Sequence, residues 1–430
     1  MTDGPTLLRA GVSAVDITPP LGTELAGGAF GPAKSVLHPL SAKALFLESG
    51  ARRALVFACD LLGLDWDYSL AIRREISDRH GVPMDSVMLT CTHTHCGPAT
   101  AALRNWGTPD EAYCAELHVK LVKTAGEAVA GAADARIGSG TIPCPGAAAN
   151  RSSVGTTTND RLGVLRIDDA AGTPVAVLVN FACHPVNLHS SGAITPDFPH
   201  YVELNIREAL GADIPVLYTS GACGDLNPSN FQFDPADEKA KATGDIVSGK
   251  AIELLTGIET TAGAELASAS LDVEVALARL PPEEDLCKII AENEKALATV
   301  EDTSPTSWEY TRYKTNVEWA REALDVVRSG AQETTRSIPL QALALGDAIL
   351  LGVPGELFSE FGEKIAAASG TPVLTATLTN GCFGYFATRQ AYERGAYEAT
   401  GCPKYLGIYF YEPDTGERIC RGACELVSHL

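Results

Sequence analysis

The feature of this sequence that most restricts its fold is the run VAVLVNF at Val175–Phe181, which is almost continuously apolar. A strand with one solvated face alternates apolar and polar residues, so an unbroken run indicates a strand buried on both faces. Shorter strand-like segments alternate with helix-like ones along the first half of the chain. The strand-like segments are Lys43–Glu48, Ala54–Cys59, Ser86–Cys91, Val164–Ile167 and Pro215–Thr219, and the helix-like ones are Tyr68–His80 and Pro109–Val129. This pattern predicts an α/β fold with a mixed, mainly buried β-sheet core flanked by helices.

The second half continues the pattern around one helical insertion. Apolar residues at helical spacing on both sides of EDTSPTS predict a charged helical hairpin over residues 281–330, which we expect to cover the site as a lid or to form a dimer interface. The other expected elements are strands at Ala264–Leu277, Ile338–Leu345, Ala348–Val353 and Val373–Leu378, and a helix at Leu357–Ala368. No linker or repeat divides the chain, so we expect a single catalytic domain over residues 1–430 with this hairpin inserted in it.

The net charge and the hydropathy of the chain restrict the classes of partner that it can bind. The formal net charge of -21 argues against nucleic acid or an anionic membrane as the main partner. No stretch approaches the run of roughly 18 apolar residues that a bilayer crossing requires, so stable membrane insertion is not expected. The opening residues lack the basic and apolar regions of a signal peptide. The expectation is a cytoplasmic protein, or a secreted one if a leader was removed, that binds a small-molecule substrate and forms a homodimer if the hairpin is exposed.

The cysteines indicate no standard metal or redox motif. Twelve are present without any Cys-x-x-Cys pair, which excludes a zinc ribbon or a thioredoxin-type pair. Most lie in apolar segments and are typical of small buried side chains. Cys402, Cys420 and Cys424 cluster near the C-terminus, where the sequence leaves open a disulfide or a second metal site.

Several residues that bind metals or move protons come directly after strand-like segments. If CTHTH continues a strand, His93 and His95 project from the same face, either as metal ligands, as one ligand and one proton carrier, or as a hydrogen-bonded structural pair. The others are His184 in FACHP, Glu356 in GVPGE, and Asp225 and Asn227 in CGDLNP. Loops at the carboxyl ends of strands in a parallel-rich sheet converge, and two imidazoles with one carboxylate form the ligand set of a hydrolytic zinc centre.

Six motifs together resemble one family. CTHTHCGP resembles the HTHSGP signature of the neutral ceramidases, and AGVSAVDITPP resembles the opening motif of that family. AANRSS at Ala148–Ser153, FACHP, VPGELF and NGCFGYFATRQAYERGAYEA are similar to four further family motifs, and all six occur in family order between residue 10 and about 400. The chain is therefore identified as a short member of the neutral ceramidase family, comprising the catalytic domain.

The resemblance implies a zinc-dependent hydrolase with one Zn²⁺ per chain. The implied zinc ligands are His93, His184, Glu356 and Tyr385. Tyr385 is chosen by its register with the family, since spacing alone does not distinguish it from Tyr392 or Tyr397. In the implied reaction, zinc-bound water attacks an amide, lactone or ester carbonyl, Arg151 contacts the carbonyl oxygen, and His95 protonates the leaving group. The residues expected around the substrate are Asn227, Asp225 and Asp197, the last supporting the site from behind the metal ligands.

Three departures from the family favour a soluble substrate over ceramide. Asn227 occupies the position of the serine in the family segment GDVSPN, and an amide side chain cannot act as a nucleophile. The chain ends soon after the tyrosine-rich segment, without the C-terminal domain of long ceramidases. Neither a secretion signal nor a membrane-facing stretch is visible. We therefore expect a small soluble amide, lactone or ester as substrate, with true ceramidase activity as the alternative.

Three other interpretations remain open from the sequence. A His-x-His strand also begins the metal-dependent amidohydrolases on a TIM barrel, which commonly hold two metals and would use His184, His189 or His200. Asn227 in place of serine also fits a catalytically retired domain kept for binding. A zinc centre can equally polarise a carbonyl for an isomerase or lyase reaction.

Overall fold

The computed structural model describes residues 7–28, 30–152 and 158–430, so Ser153 of the AANRSS motif lies outside the described residues. Most strands of the described chain belong to two sheets. In chain order the strands are β1 Leu8–Asp16, β2 Ser35–Val36, β3 Ser41–Ser49, β4 Arg52–Cys59, β5 Val87–Cys91, β6 Ala133–Pro143, β7 Ala148–Asn150, β8 Arg161–Asp169, β9 Pro174–Phe181, β10 Ala193–Ile194, β11 Val216–Ser220, β12 Leu226–Pro228, β13 Leu266–Ala276, β14 Thr335–Leu345, β15 Ala348–Gly352, β16 Glu356–Leu357, β17 Val373–Ala376 and β18 Tyr385–Phe386.

The helices carry the start and stop signals that their sequences predict. Asp110 caps the helix that follows it by accepting a hydrogen bond from Tyr113 N at 2.9 Å, and Gly81 ends another helix in the left-handed conformation with φ 67°. In chain order the helices are α1 Trp66–His80, α2 Glu111–Ala130, α3 Phe198–Leu210, α4 Asp237–Leu255, α5 Glu283–Leu297, α6 Trp308–Ser329, α7 Ser359–Ala366, α8 Arg389–Glu393, α9 Tyr397–Thr400, α10 Pro403–Leu406 and α11 Thr415–Ser428.

The larger sheet has eight strands in the order β11-β9-β8-β6-β1-β3-β4-β5. Its interior pairs are antiparallel, and only the pair at each edge, β11 with β9 and β4 with β5, is parallel. The smaller sheet has the order β13-β14-β15-β17, with one parallel pair, β15 with β17. The expectation of a parallel-rich sheet was therefore wrong: hairpin connections make most pairs antiparallel, and helical crossovers are confined to the edges.

The two sheets pack face to face between outer layers of helices. Apolar side chains from both inner faces, among them Leu45, Leu165 and Leu350, form one core. Helices α1 and α2 cover one part of the outer face of the large sheet, and α3 and α4 cover another. Helices α7 and α11 pack on the outer face of the small sheet. This layered arrangement confirms the predicted mixed α/β fold with a buried sheet core, and it is not a TIM barrel.

The predicted hairpin over residues 281–330 contains α5 and α6, which pack along each other and lie between β13 and β14 in the chain. Leu286, Trp319 and Leu324 form a small core of its own, to which residues 408–410 of the C-terminal segment contribute. None of the helices in the described ranges combines the length and apolar character that a bilayer crossing requires.

Candidate metal centre

The candidate site lies where the parallel strand pairs of both sheets end. His93 and His95 follow β5, His184 follows β9, and Glu356 follows β15. Hydrogen bonds tie these strand ends together: Thr377 N donates to Ser220 O at 2.9 Å, and Ser220 Oγ donates to Thr92 O at 2.7 Å. The loops therefore converge as the sequence predicted, although only the few parallel pairs bring them there.

His93 and His95 come together for a reason other than the predicted strand geometry. Strand β5 already ends at Cys91, and His93 has the left-handed backbone conformation with φ 68°. Such a conformation is uncommon outside glycine, and it turns the chain sharply. The two rings still meet, with centroids 5.0 Å apart and planes at 76°. The expectation of a shared strand face was wrong, whereas the expectation that the two side chains adjoin was right.

All three imidazoles of the site are oriented in the same way, each by one backbone carbonyl. The Nδ1 atom of His93 lies 2.8 Å from Leu62 O, that of His184 lies 2.9 Å from Leu226 O, and that of His95 lies 3.2 Å from Gly27 O. A carbonyl can only accept, so each Nδ1 carries the proton and each Nε2 is left with a lone pair. This is the usual arrangement behind histidines that bind a metal.

One carboxylate oxygen lies between two of the imidazoles. Glu356 Oε2 is 2.9 Å from His184 Nε2 and 3.2 Å from His93 Nε2. Burial alone would raise the pKa of Glu356, but the two imidazoles hold it well below its ordinary value. Burial and the Arg151 cation lower the pKa of His184 to about 4. The carboxylate is therefore charged and His184 neutral at neutral pH, which is the protonation state that a metal requires.

The donor atoms present fit a metal ion. The coordinating atoms of His93, His95 and His184 lie within 4.8 Å of one another, and this is the one group of three such ligands among the described residues. Within that part of the chain, the buried Nε2 atom of His95 makes no hydrogen bond, and that of His93 has only the 3.2 Å contact with Glu356 Oε2, which lacks hydrogen-bond geometry. A buried polar atom without a partner is costly unless something else binds it. A metal held by neutral imidazoles and a carboxylate would satisfy these atoms.

Arg151 connects the loop that contains Asn227 with the C-terminal segment that contains Tyr385 and Glu398. Its Nη2 atom donates two hydrogen bonds, to Tyr385 Oη at 3.1 Å and to Gly224 O at 2.9 Å. Its Nη1 atom donates to Asn227 Oδ1 at 3.1 Å, and its Nε atom donates to Glu398 Oε1 at 3.0 Å. Burial would lower the pKa of Arg151, but Tyr385 and the carboxylates of Glu398 and Glu356 raise it above the ordinary value. The guanidinium of Arg151 is thus held by four protein acceptors, while its side chain remains 24% exposed.

Tyr385 is placed beside Glu356 by the backbone. The two residues face each other in the short parallel pair of β16 and β18, and Glu356 N donates to Gly384 O at 2.8 Å. Burial, followed by the charge of Glu356, raises the pKa of Tyr385 well above its ordinary value, so the phenol keeps its proton in this environment.

Glu398 is a site residue that the sequence reasoning missed. It is only 5% exposed, and it accepts hydrogen bonds from Arg151 Nε and from Ser152 Oγ, the latter at 3.3 Å. The available signal was its place in GAYEA, inside the tyrosine-rich segment that had already supplied Tyr385.

Of the three residues predicted to lie around the substrate, one faces Arg151 and two support neighbouring loops. Asn227 faces Arg151, as described above. The carboxylate of Asp225 instead accepts hydrogen bonds from Ser359 N, Ser359 Oγ and Asn150 Nδ2 at 2.7–2.9 Å, and therefore holds neighbouring loops together. Asp197 caps α3 and accepts from Phe198 N and Leu188 N, each at 2.7 Å. It thereby holds the loop that follows His184, and burial raises its pKa to about 6.

Of the histidines invoked by the barrel interpretation, His184 belongs to the site, and His189 and His200 have other partners. His200 stacks on His38 with ring centroids 3.8 Å apart, and His189 packs among Phe30, Phe231 and Phe233. All twelve cysteines are free, and the Cys402, Cys420 and Cys424 group yields neither a disulfide nor a three-ligand metal group within the described residues. The C-terminal disulfide and the second metal site are therefore not found.

Comparison with known proteins relates this chain to others by fold. The sequence matches no protein-family profile and no curated protein. The crystal structure of neutral ceramidase from Pseudomonas aeruginosa is similar with a TM-score of 0.74 at 19% identity, over 99% of this chain and 74% of that one. A ceramidase complexed with C2 is similar with a TM-score of 0.73 at 18% identity, over 98% of this chain and 75% of that one. The chain therefore has the neutral ceramidase fold, as the order of its motifs predicted.

Proposed function

We propose that this protein is a metal-dependent hydrolase that cleaves the carbon–nitrogen bond of a small soluble amide, with one Zn²⁺ bound by His93, His184 and Glu356 and with Tyr385 as a weak fourth ligand. The observation that carries the proposal is the approach of His93 Nε2 and His184 Nε2 to the same oxygen of Glu356, with both rings fixed through Nδ1. The two similar solved structures are ceramidases, which supports amide hydrolysis.

A bound Zn²⁺ would supply a Lewis acid that lowers the pKa of water and polarises the substrate carbonyl. Side chains of the protein would transfer the protons and stabilise the developing charge. His95 adjoins the proposed ligands and is the proton carrier of the proposal: its ring centroid is 5.0 Å from that of His93 and 5.9 Å from that of His184, whereas those of His93 and His184 are 4.7 Å apart. Burial and the neighbouring imidazoles lower the pKa of His95 well below its ordinary value. Neutral His95 thus accepts a proton on Nε2 from the attacking water and then donates it readily to the leaving nitrogen.

Tyr385 and Arg151 stabilise the negative charge that develops on the carbonyl oxygen. A guanidinium has five N–H donors, and four of them are used by Glu398, Asn227, Gly224 and Tyr385. Arg151 therefore acts mainly through Tyr385: its hydrogen bond to Oη makes the phenolic proton a stronger donor to the substrate oxygen.

Asn227 limits the reaction to water as the nucleophile. Its amide oxygen accepts from Arg151 Nη1, and an amide has no group that could form an acyl intermediate. Esters and lactones present the same carbonyl to the same residues, and we expect them to be cleaved as well. Ceramide is the lipid alternative, which a substrate panel can separate from soluble amides.

The test is a panel of soluble N-acyl amines, lactones, esters and short-chain ceramide, assayed with wild-type protein, Glu356→Gln and Glu360→Gln. Glu360 is an exposed residue of α7 that pairs with Lys364, so its variant is the matched control for the loss of one charge. We expect hydrolysis of at least one soluble amide by wild type and by Glu360→Gln, and a loss of about 10²-fold or more in Glu356→Gln. Equal rates in both variants would contradict the proposed centre, and cleavage of ceramide alone would contradict the proposed substrate class.

A further inference from the structure

Side chains of helix α6, in the inserted hairpin, contact three consecutive residues of the loop that follows β5. Arg104 bonds Glu322 through Nη2, and Asn105 Nδ2 donates to Thr315 Oγ1 at 3.0 Å and to Glu318 Oε2 at 2.8 Å. The ring of Trp106 stacks on that of Trp308, with centroids 5.9 Å apart and planes at 29°. The contacting side chains of α6 span its first four turns, so the helix holds residues 104–106 as a unit.

One backbone hydrogen bond and one bond from a side chain to the backbone continue from this segment to the proton carrier. Trp106 O accepts from Gly27 N at 3.3 Å, and Gly27 O accepts from His95 Nδ1 at 3.2 Å. Gly27 has φ 89°, and a Cβ atom built on it would lie 2.6 Å from His95 Nδ1. The close approach leaves no room for a side chain, so the position of the Gly27 backbone fixes the position of the His95 ring.

The turn of the hairpin touches the same glycine-rich loop at a second point. Thr306, two residues before Trp308, places its Cγ2 atom 2.8 Å from where a Cβ of Gly31 would lie. Gly31 is therefore contacted by the hairpin, and Gly27 is supported through Trp106. His93 and His184 are oriented by carbonyls on other loops, those of Leu62 and Leu226.

We propose that the hairpin is a positioning element for His95 alone: through residues 104–106 and Gly27, helix α6 selects the Nδ1-protonated tautomer of His95 and aims its Nε2 atom into the site. Asn105 and Trp308 are the positioning residues. The role of His95 as proton carrier rests on the proposed function, whereas the coupling of its ring to the hairpin does not. This role differs from the lid and from the dimer interface that the sequence left open.

The experiment reads the tautomer directly, by ring-nitrogen NMR of ¹⁵N-histidine-labelled protein as purified. The test variants are Asn105→Gly, in which glycine tolerates the φ of 61° at that position, and the double variant Trp308→Ala with Glu318→Ala. Trp308 is 51% exposed, so its truncation leaves the core intact. Arg321→Ala is the matched control, because this exposed residue of α6 pairs with Glu294 of α5 instead. The His95 signals are assigned by their loss in His95→Gln.

We expect the Nδ1-protonated fraction of His95 to fall by at least about twofold in both test variants, because the carbonyl that selects this tautomer is no longer held in place. The signals of His93 and His184 stay unchanged, as do all signals in Arg321→Ala, and Trp308→Phe retains the wild-type spectrum. An unchanged His95 in the folded double variant, or equal changes at all three histidines, overturns the proposal. Neither result depends on finding a substrate, so a failure of the proposed function is recognised separately by the substrate panel.

Discussion

The guanidinium of Arg151 donates a hydrogen bond of 3.1 Å to the phenol oxygen of Tyr385. The backbone sets this relationship from both sides: Arg151 N donates to Asp225 O at 2.8 Å, and Tyr385 is paired with Glu356 across two short parallel strands. The phenol is thereby held next to a proposed metal ligand while its oxygen faces a cation. This arrangement suits a group that donates a proton to a developing oxyanion.

Replacing Tyr385 with phenylalanine removes that donor without removing the three stronger metal ligands. We expect kcat to fall by about 10²–10³-fold, the usual cost of one oxyanion donor, while zinc content stays close to that of wild type. The measurements are steady-state kinetics on the best substrate of the panel and elemental analysis of the same preparation. Loss of the metal from Tyr385→Phe would instead make the tyrosine an essential ligand.

Gly27 and Gly22 form a matched pair for testing the contact with His95. Both have positive φ, 89° and 92°, but a Cβ on Gly22 meets nothing within 4 Å. Gly22→Ala is expected to lower the free energy of unfolding by about 1 kcal/mol through backbone strain, and Gly27→Ala by more, because its Cβ would also lie 2.6 Å from His95 Nδ1 and 2.9 Å from Leu62 Cδ1. Only Gly27→Ala displaces His95, so only this variant loses about 10²-fold in kcat. Urea unfolding and kinetics on both variants check this, and equal activity in the two would refute the coupling.

Glu398 is predicted to hold Arg151 in place through its charge. Glu398→Ala leaves the guanidinium of Arg151, whose side chain is 24% exposed, without its carboxylate and is expected to cost about 1.5–3 kcal/mol of unfolding free energy. Glu398→Gln keeps an acceptor for Arg151 Nε, so it retains more stability but lowers kcat, because the guanidinium is held less firmly. Chemical denaturation and kinetics test the order of the two variants. Glu398→Ala with wild-type stability would show that the ion pair is dispensable.

The stacked pair of His38 and His200 predicts a pH dependence of stability outside the metal centre. Burial, then the neighbouring His38, lowers the pKa of His200 to about 4, although Asp60 and Asp237 act to raise it, and burial lowers the pKa of His38 as well. The unfolded chain, with histidine pKa values of about 6.5, binds more protons than the folded chain between about pH 4 and 6.5. Stability therefore falls as pH decreases through this range.

His200→Gln removes part of that pH dependence. Urea midpoints measured at about pH 7.5 and pH 5 are expected to differ less in the variant than in wild type. An equal or larger difference in the variant would mean that other groups cause the acid sensitivity.

Much of the architecture was readable from local patterns. The continuous apolar run at Val175–Phe181 is the buried strand β9, and the hairpin helices lie within the predicted range. Helices α3 and α4 were missed: α3 carries a readable start signal, Asp197 as N-cap with Pro199 in the first turn, whereas α4 begins after Ala236 without a side-chain cap. The sheet directions were also misjudged, since pairing is non-local and leaves little trace in a single strand.

The sequence indicated which residues belong to the candidate site, but it did not indicate the backbone geometry that brings them together. His93, His184 and Glu356 are the residues whose atoms converge, yet His93 reaches this position through a left-handed residue that a strand argument could not anticipate. Glu398 escaped notice because a glutamate in a polar segment near Arg394 is typical of a solvated surface until burial is known. Carbonyl acceptors such as Gly27 O carry no side-chain signature at all.

We propose that one metal ion at His93, His184 and Glu356 makes this fold a hydrolase. The most direct measurement is hydrolysis of an amide substrate by chelator-treated protein as Zn²⁺ is added back in known amounts. We predict no activity before addition, followed by a linear rise that ends at one zinc per chain and is absent in His93→Ala. Full activity without added metal, or a rise that continues to two equivalents, would contradict a single catalytic zinc site.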